Sequence, residues 1–360
     1  MKIALLHYWL TNIRGGEKVF LDLCKMFPEA DIFTHVISPD VKKEYFANRR
    51  VLTSFINKLP YAEKLYKNYM PLMFKAAQSF DLRGYDLIIS SESGPIKGIR
   101  KPEGAKHICY CHTPMRYLWD MYDNYYQNAP FYKKCAMKLL KDYLRNQDLK
   151  SASCVDLFVS NSNFVKDRIR RIYDREAKVI YPPVELDYFS PNPSLNKSGF
   201  YLMAGELVKY KRPDIAVSAF NNSDRKLVVA GGGEELHKLK RLASKNIEFR
   251  GRVNDSELKK LYCEAKALIF PGIEDFGIVP VESQASGTPV IAFAGGGALE
   301  TTIDGKTGIF FETQTSQALN LALDQFEKDY EYFSSEIIRQ NTKKFSKERF
   351  RKEFLNFLTK

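Results

Sequence analysis

Glu274 and Glu282, with seven residues between them, are the pair of side chains in this sequence best spaced for chemistry. They lie in the run FPGIEDFGIVPVE, which begins at Phe270. An apolar stretch ends at Phe270 and a turn follows. Pro280 suits the start of a helix, where a missing amide hydrogen costs nothing. Gly277 lets a backbone come close to a ligand. Exposed amides at such a helix start favour a phosphate or the hydroxyls of a sugar. One carboxylate then precedes the helix and the other stands about one turn inside it. That arrangement can put one acid on a sugar and the other on a ribose. An ordinary loop with surface glutamates is the alternative.

Basic and glycine-rich turns accompany this pair. Lys211 and Arg212 follow an apolar stretch at 200–204 and open the next helical stretch. Cations beside helix N-terminal amides make a pyrophosphate clamp; a solvated basic turn is the alternative. Gly295, Gly296 and Gly297 follow the stretch 289–293, and their amides can bind an anion or let segments pack tightly. Gly231–Gly233 reads as a plain strand-to-helix turn, with the edge of a base pocket as the alternative. In the first half, Gly15 and Gly16 sit where a loop after 2–9 meets a helix. His112 ends the stretch 106–112 and is followed by Thr113-Pro114, which stops a strand. Ser160-Asn161-Ser162 ends a further strand, and Ser91-Glu92-Ser93-Gly94 is a weaker candidate.

The elements that would hold these residues recur along the chain. Strand-like runs fall at 2–9, 31–37, 86–91, 106–112, 157–162 and 178–181, then at 200–204, 226–230, 247–250, 267–270, 289–293 and 308–311. Several lack polar alternation, as strands buried on both faces do in parallel sheets. Segments 213–221, 234–244 and 255–265 have helical spacing, with Asp255 a candidate N-cap. A βαβα pattern run twice predicts two doubly wound domains. Pro182 and Pro183 mark the division, since prolines forbid a continuing helix. The expected domains are residues 1–182 and 183–345, with a terminal helix at about 346–360 packing back on the first.

Composition narrows the class. The chain has 360 residues, 44% hydrophobic and 27% charged, which is globular and long enough for two domains. No apolar run is long enough for a transmembrane helix. The N-terminus soon reaches His7 and Arg14, so it reads as a core strand rather than a signal peptide. Six scattered cysteines suit free thiols in a reducing cytoplasm, and no Cys/His spacing suggests a metal. The net charge is +12, and residues 1–182 hold 30 Lys and Arg against 19 Asp and Glu. A basic excess of this kind suits an anionic membrane, a pyrophosphate-bearing acceptor or nucleic acid. Segments 55–80 and 130–150 mix lysines with aromatic and aliphatic residues, as amphipathic helices on anionic surfaces do. A core-facing helix with a solvated basic face is the alternative. No nucleic-acid motif accompanies the charge.

The run EDFGIVPVE followed by SQASGTPVIAFAGGGALET resembles the retaining glycosyltransferases of family 4, which have the two-domain GT-B fold. The motif order fits over nearly the whole chain: a Gly-Gly loop, a histidine at a strand end, a basic clamp, then the paired glutamates. The segment from Cys111 to Trp119 and the run LVKYKRPD look closest to mannosyltransferases of bacterial surface polysaccharide, including O-antigen. The resemblance implies two Rossmann-like domains facing each other across a cleft. It implies that Glu274 contacts the transferred sugar, that Glu282 binds the ribose, and that Phe276, Gly277, Ile278 and Val279 present backbone groups to sugar and phosphates. Lys211 would neutralise the diphosphate leaving group. Gly15 and Gly16 would reach the diphosphate, and His112 would touch the donor sugar. One position departs from the family, which often has an arginine where this chain has Glu206. Arg212 is then the expected second cation.

The implied reaction moves a hexose, mannose from GDP-mannose, to a lipid-linked saccharide acceptor. Negative charge grows on the departing diphosphate, and cations and amides aimed at it would supply catalysis. The nucleotide-sugar is a substrate; no cofactor, metal or nucleic acid is expected. The expected location is the cytoplasm, peripheral on the inner face of the membrane. The alternatives are a UDP-sugar donor, another enzyme on this architecture, or a non-catalytic scaffold that binds a nucleotide-sugar. An oxidoreductase is disfavoured, because no G-x-G-x-x-G follows the first strand.

Overall fold

The apolar runs without polar alternation form strands buried on both faces; every residue of Leu87–Glu92 is buried. The computed structural model describes residues 1–192, 194–221 and 223–358. The chain divides into two compact units, Met1–Ile180 and Tyr181–Lys360.

The first unit is built on strands β1 (Ile3–His7), β2 (Asp31–Thr34), β3 (Val51–Thr53), β4 (Leu87–Glu92), β5 (Lys106–Cys111), β6 (Leu157–Ser160) and β7 (Ala177–Val179). They form a parallel sheet in the order β3-β2-β1-β4-β5-β6-β7. The order runs outward in both directions from β1 and β4, so the switch point of a doubly wound sheet lies between them. Register there pairs His7 with Ser91. Helices such as Gly15–Met26 and Asn163–Tyr173 make the crossovers. Ser162 caps the second by accepting from the Val165 amide.

The second unit carries β8 (Phe200–Ala204), β9 (Lys226–Ala230), β10 (Ile247–Gly251), β11 (Leu268–Phe270), β12 (Val290–Phe293) and β13 (Gly308–Phe311). Its parallel order is β10-β9-β8-β11-β12-β13, with the switch point between β8 and β11. Alternate residues feed opposite cores. Tyr201, Met203, Leu227, Val229, Ile269 and Ile291 pack on one face. Leu202, Val228, Leu268, Phe270, Val290 and Ala292 pack on the other.

The doubly wound fold class predicted from the periodicity is thus observed in both sheets. Details differ from the sequence expectation. The edge strand β3 was not foreseen, since three residues carry too little periodicity to register. Asn254, not Asp255, caps the helix Asp255–Glu264, because its side-chain oxygen accepts from the Glu257 amide at 2.9 Å. The described part of the expected terminal helix is Lys347–Leu358, whose Phe350 and Phe354 are buried; residues 359 and 360 lie outside the described residues.

Candidate active site

In the second unit the ends of β8 and β11 lie side by side, and the loops that leave them meet. β8 runs into Gly205 and the turn Lys209–Lys211. β11 runs into the loop bearing Glu274. Lys211 Nζ lies 2.9 Å from Glu274 Oε1, with the two side chains 17% and 19% exposed. Burial works against the lysine's charge, but Glu274, Tyr210 and Glu206 together outweigh it and hold the ammonium above the ordinary lysine range. Lys211 is therefore a cation throughout the neutral range.

Glu282 sits one turn into the helix Ile278–Ala285 and is buried. Its Oε2 accepts the Tyr262 hydroxyl at 3.1 Å. Burial and this carboxylate push the Tyr262 phenol well above its usual range, so it stays a donor. Tyr262 was missed from sequence; a single tyrosine on a helix carries no motif. Arg212, the expected second cation, has φ of 52° and forks onto Asp214, with Nε–Oδ1 at 3.0 Å and Nη2–Oδ2 at 2.9 Å. Its charge is thus already matched within its own turn. Glu206 is exposed.

Tight packing, the second of the two uses foreseen for the glycines at 295–297, is what they do here. Gly296 has φ of 62°, and a methyl built on it would overlap the Glu274 carbonyl oxygen. Gly297 donates to that same carbonyl at 2.8 Å, and a methyl there would overlap the Phe276 backbone. Gly295 donates to Phe293 at 2.8 Å. The loop therefore holds Glu274 by main-chain contact. Gly277, with φ of 87°, caps the helix that follows. The Phe276 ring is core, packed with Phe345 and Val281, which leaves only its backbone for a ligand. Ile278 and Val279 are half-buried, and Val279 packs against the sheet.

In the first unit His112 follows β5, and its ring Nε2 lies 2.9 Å from Ser91 Oγ at the end of β4. Its amide donates to the Glu92 carbonyl at 2.9 Å, and its carbonyl accepts from Asn161 Nδ2 at 3.0 Å. Ser91 and Asn161, singled out weakly from sequence, are thus partners of His112. Gly15 and Gly16 open the helix Gly15–Met26. A methyl on Gly16 would lie 3.5 Å from His112 Nε2 and from the Tyr8 hydroxyl, so the Gly-Gly loop and His112 are neighbours.

Buried charge supports this cluster. Glu17 accepts the Arg14 amide at 3.0 Å and lies 3.8 Å from His7 Nε2. Burial would raise its carboxyl, but the His7 ring and that amide bring it below the ordinary range. Glu17 stands three residues after the N-cap, but Arg14 holds the place where the capping signature wants a serine or threonine, so the sequence does not mark it. Burial pushes Glu92 up to about 7, partly offset by Lys97 at 3.4 Å. Lys97 also reaches Asp148 at 2.7 Å, and Asp148 accepts from Trp119 at 2.8 Å and Tyr173 at 2.9 Å. This network carries no sequence signal, since its members are far apart in the chain. Among the described residues, no three His, Cys, Asp or Glu side chains converge as a metal site requires.

The chain is similar to known proteins over both units. Residues 13–188 match the model of Glycosyltransferase Family 4, and residues 186–345 match Glycosyl transferases group 1. An uncharacterized glycosyltransferase of Methanocaldococcus jannaschii is 30% identical over 53% of this chain and 55% of its own. The alpha-1,3/1,6-mannosyltransferase of Dictyostelium discoideum is 24% identical over 86% of this chain and 85% of its own. A GDP-mannose-dependent alpha-(1-6)-phosphatidylinositol monomannoside mannosyltransferase of Mycolicibacterium smegmatis is 26% identical over 48% and 53%. The chain thus spans about half the length of several curated relatives it matches. Among solved structures, sucrose-phosphate synthase from Thermosynechococcus elongatus superposes with a TM-score of 0.78 at 18% identity, covering 100% of this chain and 98% of its own. The Anabaena protein HepE in complex with UDP-glucose gives 0.73 at 17%, covering 100% of each. These likenesses establish the fold, which is GT-B.

Proposed function

This chain belongs to the glycosyltransferases, with a Family 4 domain followed by a group 1 domain, and from that premise we propose that it transfers a hexose from a nucleotide diphosphate to an acceptor hydroxyl with retention at the anomeric carbon. The observation that carries this reading is the Lys211–Glu274 pair at the switch point of the second sheet, with Glu282 buried one helical turn further on. Ligands of open α/β sheets bind at such switch points. Lys211 keeps its proton and supplies positive charge to the departing diphosphate. Glu274 contacts hydroxyls of the sugar, and Glu282 the ribose. Backbone groups of Phe276, Gly277, Ile278 and Val279 serve sugar and phosphate. Gly15, Gly16 and His112 are assigned to phosphate and sugar. The leaving phosphate itself takes the acceptor proton.

The donor in this reading is GDP-mannose, supported by the GDP-mannose-dependent relative of Mycolicibacterium smegmatis and, for the sugar, by the mannosyltransferase of Dictyostelium discoideum. A UDP-sugar is the competing donor, supported by the UDP-glucose that HepE holds. The acceptor is a lipid-linked saccharide of bacterial surface polysaccharide, met at the cytoplasmic face of an anionic membrane. No helix among the described residues is long and apolar enough to cross a membrane.

Thermal stabilisation by GDP, UDP, ADP and their sugars, on wild type and Glu282→Ala, tests the donor site. A ligand at 100 times its Kd stabilises the protein by about 2.7 kcal/mol. The expected outcome is a shift with GDP and GDP-mannose that the variant loses. A shift with UDP alone replaces the donor base, and no shift with any of them overturns the site.

A further inference from the structure

Helix Phe131–Ser153 of the first unit is apolar on two sides. On one side Leu140 and Leu144 pack against Met70, Phe74, Met115 and Leu118. On the adjoining face, about 100° further round the helix, Tyr132, Leu139 and Tyr143 are 69%, 83% and 50% exposed. Their spacing of seven and four residues lines them along one stripe. A solvated helix face ordinarily carries polar residues instead. Exposed Lys133, Lys138 and Lys150 accompany the stripe. Of the two acids at 131–150, Asp148 is buried against Lys97, which leaves Asp142 outside.

The packing side of this helix brings a second such segment alongside. Phe74 and Met70 belong to the helix Met70–Gln78, and they share one apolar cluster with Leu144 and Leu140. The stretch leading into that helix exposes Tyr61 and Leu65, and the helix itself exposes Leu72. Lys58, Lys64, Lys67 and Lys75 stand exposed among them.

We propose that helix Phe131–Ser153 and the segment at 55–78 form one docking surface for an anionic lipid bilayer. Leucine and tyrosine side chains enter the boundary between headgroups and acyl chains, and the lysines meet the lipid phosphates. The excess of lysine favours this occupant over a second copy of the chain, whose matching face would bring the same positive charges together. The proposal deepens the membrane-acceptor reading above, but its test needs no turnover.

The test is flotation of the whole chain with vesicles of phosphatidylcholine, with and without phosphatidylglycerol. The expected result is binding to the phosphatidylglycerol vesicles alone. Leu139→Ser with Tyr143→Ser lowers the partition by about tenfold or more, and Lys133→Gln with Lys138→Gln lowers it by about fivefold per lysine. Both variants keep the wild-type melting temperature and nucleotide shift, because the altered side chains face solvent. Equal partition of wild type and variants, or no binding, overturns the surface. So does a dimer in sedimentation that Leu139→Ser with Tyr143→Ser dissolves. Vesicle binding lost while the nucleotide shift persists sinks this surface alone; absence of any nucleotide shift sinks the donor reading alone.

Discussion

Lys211 and Glu274 meet at 2.9 Å across the switch point of the second sheet, the lysine following β8 and the glutamate following β11. Each holds its partner's charge in a partly buried place, so neither can be removed quietly. Lys211→Met and Glu274→Gln should each lower kcat by about 10²–10³-fold. Because the two groups touch, their effects should not add, and the double variant should lose little more than either single one. Steady-state kinetics on the three variants checks this. Simple additivity would show that the pair does not act as a unit.

The same lysine fixes a pH expectation. Its folded-state pKa is raised above the ordinary value, so its contribution to stability is complete below the ordinary lysine range. That contribution is lost only as pH rises through the raised value. The stability gap between wild type and Lys211→Met should therefore stay level through the neutral range and narrow only in strong alkali. Urea unfolding at several pH values measures it.

Tyr262 and Glu282 separate structure from ligand binding. Tyr262→Phe removes one hydrogen bond and should cost about 0.5–1.5 kcal/mol while keeping the nucleotide shift. Glu282→Ala strands the buried Tyr262 hydroxyl and should cost about 1–3 kcal/mol. It should also abolish the shift. Equal loss of the shift in both variants would mean that Glu282 acts through packing alone.

Two glycines of the second unit make a controlled comparison. Gly305 has φ of 66° with open space around it, so Gly305→Ala should cost about 1–2 kcal/mol from backbone strain alone and leave nucleotide binding intact. Gly297 has an ordinary φ, but a methyl there meets the Phe276 backbone. Gly297→Ala should cost about 1–3 kcal/mol from overpacking and displace Glu274, so the nucleotide shift disappears. Retention of that shift would show that the loop does not hold Glu274 in place.

In the first unit, Glu92 is raised to about 7 from an ordinary 4.5. Between those values the folded chain binds a proton that the unfolded chain has released, so this carboxyl's contribution to stability falls as pH rises. His35 and His107, lowered by burial to about 3 and about 4, act in the opposite sense and destabilise the fold as pH falls below 6.5. Comparing wild type with Glu92→Gln cancels the histidines. The stability of wild type relative to the variant should decline from pH 5 to pH 8, measured by chemical denaturation; a flat difference refutes the assignment.

Much of this architecture is legible in the residues. Unalternating runs such as 226–230 and 267–270 report strands buried on both faces, and these fix the parallel sheets. Glu274 and Lys211 are legible as candidates because each lies in the loop that follows such a run. What escapes is pairing at long range. Tyr262 reaches Glu282 from another helix, and Lys97 finds Asp148 through the packing of the fold. The glycines at 295–297 read equally as anion-binding amides or as close packing, and only the Glu274 carbonyl beneath them decides between the two.

That main-chain seam has an evolutionary consequence. Gly296 and Gly297 grip the backbone of Glu274 and Phe276 without using any side chain of their own. The frame of the site is thus independent of the side chains displayed on it. Exposed positions such as Glu206 can drift, and new ones can be recruited, while the scaffold that presents Glu274 stays unchanged. Substitution of the side chains around it leaves that seam in place, and tolerance for change ends at the glycines.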